Sequence, residues 1–149
     1  EAQKEAIRAA AARSGVGMSE WVLARALPEP AVRLSSLAQR ADEGGAHAAW
    51  AEIIELLQKR CGVDFEVTVR DVDCSVLSPF TANYLAALVE ATAARLGESP
   101  PPWTAAVAPL PTPWFGTELR RLREYLLLHA PVAFRRRNLF IDAEVGDRV

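Results

Sequence analysis

Four carboxylates crowd one short stretch of this 149-residue chain: Asp64, Glu66, Asp71 and Asp73. In "DVD", Asp71 and Asp73 stand two apart, so an extended backbone would present both on one face. Paired acids of that kind can hold a cation or do general acid–base work. No histidine, Gly-rich phosphate loop or nucleophile motif accompanies them, and Ser35, Ser36 and Ser75 lack a recognisable base partner. Cys61 and Cys74 are the only cysteines. They form no CxxC and have no histidine pair beside them, since His47 and His129 fall in separate segments. A structural zinc site needs four ligands at local spacing. The reading is a protein that is not an enzyme and carries no metal or cofactor. Its acids are solvated loop edges, and its cysteines are ordinary thiols in a reducing compartment.

The chemistry that the sequence does concentrate is cationic. Net charge is only −2, which gives no overall pull toward nucleic acid or anionic membrane. Residues 31–100 carry six basic and ten acidic side chains, whereas residues 101–149 carry seven and five. Arg120, Arg121, Arg123, Arg135, Arg136 and Arg137 have only Glu124 among them. Aromatics stand close by in Trp114, Phe115, Phe134 and Phe140. Arginine and aromatic side chains join large area to directional polar groups, which enriches both at protein interfaces. Trp114, Phe115, Phe134, Arg135, Arg136, Arg137 and Phe140 are therefore the candidate partner-binding set, suited to an acidic protein cleft or to nucleic-acid phosphates. The competing reading puts Phe134 and Phe140 in the core and makes the arginines a solvated face paired with Asp142, Glu144 and Asp147.

A second candidate lies at the amino terminus. "EAQKEAIRAAAARSGVGMSEWVLARAL" reads as two short helices. The first runs from about Glu1 to Ser14 on alanine-rich helix propensity and ends at Gly15. The second starts near Ser19 and stops at Pro28. Its first turn exposes backbone N–H groups and the positive end of a dipole, which suits a phosphate. A hairpin this small must bury its apolar residues against something.

These residues resemble the two-helix part of ribbon-helix-helix DNA-binding proteins, in particular the antitoxin-like branch. Glu1, Lys4, Ile7, Ala10, Ala11, Gly15, Ser19, Glu20, Trp21, Val22, Ala26 and Leu27 fall in that branch's pattern. The resemblance implies a homodimer with Ile7, Ala10, Ala11, Trp21, Val22 and Leu27 at its centre. It implies DNA-backbone binding by Gly17, Met18 and Ser19, although Gly17 stands where the family usually has a serine. The family's base-reading strand lies ahead of this hairpin, so an alternating strand is expected before Glu1.

The elements that must position these groups are mostly helical. Trp50, Ile53, Ile54 and Leu57 repeat at helical spacing within 46–60, with Gly62 as the expected cap. Ser78 and Pro79 open a helix whose apolar face carries Phe80, Tyr84, Leu85, Leu88, Val89 and Leu96 until Gly97 ends it. A third helix is expected over 117–129, with Leu119, Leu122, Tyr125 and Leu126 inward, and Pro131 ends it or opens a short successor. "DFEVTVRDV" alternates like a strand through Phe65, Val67 and Val69 and needs a partner, either "NLFID" (138–142) as the nearest candidate or the same strand of another subunit. Residues 98–116 hold six of the ten prolines. That segment should be extended or turning, and Trp103, Trp114 and Phe115 should pin it to the core.

Residues 76–149 are also similar to uncharacterised bacterial proteins encoded beside nucleotidyltransferase-like toxins. That similarity rests on Ser78-Pro79-Phe80, Trp114-Phe115 and Phe134 to Phe140. The fold expected is mainly α: a ribbon-helix-helix-like hairpin (1–27), then a helical partner-binding domain (28–149) with at most one or two short strands. The function expected is an antitoxin and transcriptional autorepressor that neutralises a partner toxin by direct binding and binds operator DNA as a dimer. The alternative is a protein-interaction module without DNA binding, either a toxin inhibitor or a phage-related structural protein. No signal peptide and no apolar run near 18 residues is present, so a cytoplasmic protein with no membrane contact is expected.

Overall fold

Signals that act within one helical turn are obeyed closely. In the computed structural model, which describes residues 2–13, 17–19, 22, 30–44 and 46–142, Ser78 caps a helix that begins at Pro79. Its hydroxyl accepts the Thr81 N–H at 3.3 Å, and Gly97 ends the helix with φ of +71°. The described elements, in chain order, are α1 (Ala2–Arg13), α2 (Pro30–Asp42), α3 (Ala46–Gln58), α4 (Gly62–Val69), α5 (Pro79–Leu96), α6 (Pro102–Ala106), β1 (Trp114–Phe115), α7 (Arg120–His129), α8 (Val132–Arg135) and β2 (Leu139–Phe140). The chain is thus mainly α with one small two-stranded sheet. No helix among the described residues is long and apolar enough to cross a membrane.

The core forms around α5. Leu85, Ala86, Ala87, Leu88 and Val89 are all buried in succession, which is the mark of a helix covered on every side. It packs against α2, α3, α6 and α8, while α2 also packs on α3 and α4. Leu34, Leu37, Ile53, Leu57, Phe65, Val69, Phe134 and Leu139 complete one continuous apolar cluster with it. Helix α2 was not anticipated, although Leu34, Leu37, Ala38 and Ala41 repeat at i, i+3, i+4 and i+7 and are all buried. Its end is tied to the start of α5. Asp42 accepts the Ser78 N–H at 3.0 Å and also the Ser78 hydroxyl. Those bonds and the nearby Thr81 hydroxyl hold the Asp42 carboxyl below the usual carboxylate range.

The expected strand at 65–69 is instead α4. Phe65, Thr68 and Val69 are buried, whereas Val63 and Val67 are exposed. That is helical spacing, and the Thr68 hydroxyl donates to the Asp64 carbonyl one turn back at 2.6 Å. Packing on α2 overrides the β-branched composition. Gly62, expected to cap α3, opens α4 with φ of +54°. The strand expected within 138–142 does form as β2, but its partner is β1. The two run parallel, with Trp114 opposite Leu139 and Phe115 opposite Phe140. Parallel strands need a long crossover, which α7 and α8 supply. Pro102 starts a helix where extended chain was expected, because proline is tolerated in a first turn.

Of the amino-terminal hairpin, α1 is as expected and positions 18, 19 and 22 are helical. Gly15, Trp21 and Leu27 lie outside the described residues, and a ribbon-helix-helix arrangement is not part of what the structure describes. Ala11 is buried within the single chain, Ile7 and Ala10 are half-buried, and Val22 is exposed. Gly17 and Ser19 are exposed, with Met18 half-buried between them.

Candidate partner-binding face

The Pro-rich segment is fastened to α5 by one buried arginine. Arg137 follows α8, and its Nη2 reaches Glu90 of α5 at 2.5 Å and the Thr104 carbonyl at 2.7 Å. Its Nη1 donates at 3.3 Å to both Asn83 Oδ1 and the Val107 carbonyl. A planar guanidinium offers five N–H donors in a fixed fork, whereas a lysine ammonium offers three from one point. Asn83 adds a second fastening, since its Nδ2 donates to the Ala108 carbonyl at 2.9 Å. Asn138, with φ of +59°, donates its side-chain amide to the Leu110 carbonyl at 2.6 Å. The Trp114 N–H then meets the Asn138 carbonyl at 2.8 Å and starts the sheet.

Aromatic contacts fix the side chains above this frame. Tyr84 touches Trp50 (4.6 Å between ring centres), Phe80 (5.7 Å) and Phe134 (5.4 Å), and Phe80 in turn meets Trp114 at 4.9 Å. Burial pushes the Tyr84 hydroxyl pKa up. On the far side of the sheet Phe115 stacks on Phe140 at 4.9 Å, with the Arg123 guanidinium 5.4 Å above Phe115. Trp103, also in the Pro-rich segment, donates its indole N–H to the Val69 carbonyl at 2.7 Å. Of the three aromatics in this segment, Trp103 and Phe115 are half-buried and Trp114 is exposed.

Helix α7 closes over the sheet by a single buried side chain, Leu126. Leu119, Leu122 and Tyr125, expected inward, are exposed. The helix also starts three residues later than expected, because the Thr117 hydroxyl accepts the Leu119 N–H at 3.2 Å and turns the chain first. Seven of the twelve exposed large apolar side chains among the described residues lie between Trp114 and Val132. Beside α7 runs a cleft of about 440 Å³ lined by Tyr84, Trp114, Gly116, Leu122, Tyr125, Leu126 and Ile141, with Thr117 and Asp142 at its polar part.

The seven residues expected to face a partner divide into two groups. Phe134, Arg137 and Phe140 are buried. They build the frame and offer a partner no surface. The physical reason is the α8 turn, which rotates Arg137 toward Glu90 while Arg135 and Arg136 stay exposed. Arg135 donates to the Leu128 carbonyl at 3.3 Å, at the end of α7. Trp114 is exposed and Phe115 half-buried. The surface residues that sequence reasoning missed are Leu122, Tyr125, Leu127 and Leu128. Their signal was the run Leu126-Leu127-Leu128. Consecutive leucines on a helix point about 100° apart, so one buried stripe cannot hold all three.

The carboxylate cluster does not converge. Glu66 pairs with Arg70 at 2.8 Å on α4. Asp73 accepts the Ser75 N–H at 2.8 Å, and hydrogen bonds from Ser75 lower its pKa. Cys61 is exposed and Cys74 half-buried, with burial, helped by Asp73, pushing the Cys74 thiol up to about 11. No family model, curated protein or solved structure matches the chain.

Proposed function

We propose that this chain is an antitoxin whose helical body neutralises a toxin by binding it through the face from Trp114 to Val132. One observation carries the reading. Leu122, Tyr125, Leu127 and Leu128 are exposed on a helix that also bears Arg120, Arg121 and Arg123, and Leu119 is exposed just before it. Burying a leucine of this kind is worth roughly 1.5–3 kcal/mol, so a partner that covers three or four of them has an adequate anchor. The toxin is of the nucleotidyltransferase-like type, on the similarity of residues 76–149. The hairpin over 1–27 serves dimerisation and operator binding under the same proposal, with the exposed Gly17 and Ser19 at the DNA backbone.

The test is co-expression with the product of the adjacent reading frame. A complex should co-purify with the wild-type chain and be lost on Tyr125→Ala combined with Leu128→Asp. Retention of the complex by that variant would refute the assigned face. The burial of Ala11 within the single chain favours a second reading, in which the hairpin packs on its own chain and the protein binds a partner without binding DNA. A bandshift with the operator region separates the two. Autorepression requires a shift that weakens with added salt and on Ser19→Ala.

A further inference from the structure

We infer that residues 107–113, between α6 and β1, form a strap that lifts off α5 while the rest of the chain stays folded, and so gates a cavity beside Cys74. The cavity measures about 520 Å³. It is lined in part by Cys74 and Ser75 from the loop before α5, by Ala82 and Asn83 of α5, and by Val107 and Ala108 of the strap. Cys74 is half-buried there.

Polar contacts hold the strap, and burial contributes little. Val107 and Leu110 are half-buried, and its other residues are all exposed. Pro109, Pro111 and Pro113 have no backbone N–H to donate. Among the described residues, the strap donates one long-range backbone bond, from the Leu110 N–H to the Arg137 carbonyl at 3.3 Å. The rest of the fastening falls to three side chains of the body. Arg137, Asn83 and Asn138 donate to the carbonyls of Val107, Ala108 and Leu110 in turn.

Both ends are fixed more firmly. Ahead of the strap Pro101 and Thr104 are buried, and the Trp103 indole is bonded to Val69. After it, the Trp114 N–H meets the Asn138 carbonyl and opens the sheet. A segment with secure ends, no buried side chain and a few separable hydrogen bonds belongs to the low-stability end of local opening. Lifting it withdraws Val107 and Ala108 from the cavity wall and bares Cys74. The strap thus sets when chemistry at that thiol can occur, whichever partner the Trp114 to Val132 face binds.

The test uses the full chain with Cys61→Ser, which leaves Cys74 as the only cysteine. Thiol labelling with dithiobis(nitrobenzoate) and amide exchange at Leu110 follow the strap. Amide exchange at Phe140 follows the sheet, and that at Leu85 to Val89 follows the core. In low urea the Cys74 and Leu110 rates should be nearly independent of denaturant, because lifting a short strap exposes little surface. Those of Phe140 and the core should climb with urea. Asn138→Gly removes the amide on Leu110 yet accepts the φ of +59° at that position, so the fold and its circular dichroism are kept. It should raise both strap rates roughly three- to tenfold. Asn138 does not line the cavity, so its effect on Cys74 passes through the strap. Asn83→Ala, which removes a different fastening, should do the same. Strap rates that climb with urea as steeply as those of Phe140 overturn the inference, because the segment then opens only with the whole unit. A Cys74 rate that neither variant changes also overturns it, because the thiol is then reached with the strap closed.

Discussion

Arg136 and Arg137 are adjacent and chemically identical, and their replacement by alanine should differ by several kcal/mol. Arg136→Ala removes an exposed side chain, and its effect should stay within about 0.5 kcal/mol. Arg137→Ala leaves Glu90, whose side chain is 20% exposed, without its partner. It also strips the Thr104 and Val107 carbonyls of a donor. Breaking a buried pair costs roughly 3–5 kcal/mol. Partial solvation of Glu90 argues for the lower end, about 3 kcal/mol, which is a fall of roughly 6–12 °C in Tm for a chain of this size. Urea unfolding followed by circular dichroism measures it. The double variant Arg137→Met with Glu90→Leu removes the stranded charge and should recover part of the loss, leaving about 1–2 kcal/mol for the unsatisfied carbonyls. Arg137→Lys keeps the charge but loses the fork and should fall between wild type and alanine. A loss below 1 kcal/mol for Arg137→Ala, or equal losses at the two positions, would show that this arginine does not hold the Pro-rich segment in place.

Three other expectations follow from local environments. Phe134→Ala empties a fully buried site and should cost about 3–5 kcal/mol in the same unfolding assay. Asp42 has a folded pKa below its unfolded value, so its contribution is complete above the unfolded pKa of about 3.9 and is lost as pH falls through the folded pKa. Asp42→Asn should therefore flatten the acid limb of a stability–pH curve, and an unchanged limb would refute the Ser78 contact. Iodoacetamide at neutral pH should label Cys61 first, because Cys61 is exposed and the Cys74 thiol is pushed up to about 11. The thiolate fraction at Cys74 is then more than about a hundredfold below that of an ordinary thiol, and peptide mapping of the labelled protein checks the order.

What could be read in advance depended on how far each signal reaches. The Ser78–Pro79 start and the Gly97 stop are decided within one turn, and both were legible. The aromatics of residues 98–116 were less telling, since Trp103 packs against the core while Trp114 stays exposed. The segment Phe65 to Val69 was misleading because its residues satisfy period 2 and period 4 alike, and only contact with α2 decides between them. Arg137 could not be told from Arg135 and Arg136 by type. Its role depends on Glu90 and Asn83, 47 and 54 positions earlier, which no local pattern encodes. Leu119, Leu122, Tyr125 and Leu126 were placed inward because apolar residues at helical spacing usually are, and the single buried one, Leu126, was not distinguishable from the other three.

The parallel pairing of β1 with β2 has a kinetic consequence. It closes a loop that contains all of α7 and α8, and it depends on the Arg137 and Asn138 contacts made far along the chain. Loop closure must precede the contacts that reward it, so this unit should dock late, onto an α2–α5 body already assembled. It should also be the first part to open in the native state. Amide hydrogens of Leu126, Ala130 and Phe140 would then exchange sooner than those of Leu85 to Val89, and a bound partner would slow them selectively. A chain caught during synthesis or partial unfolding would keep its helical body yet lack the face proposed to bind a partner, so binding there would serve as a report that folding is complete.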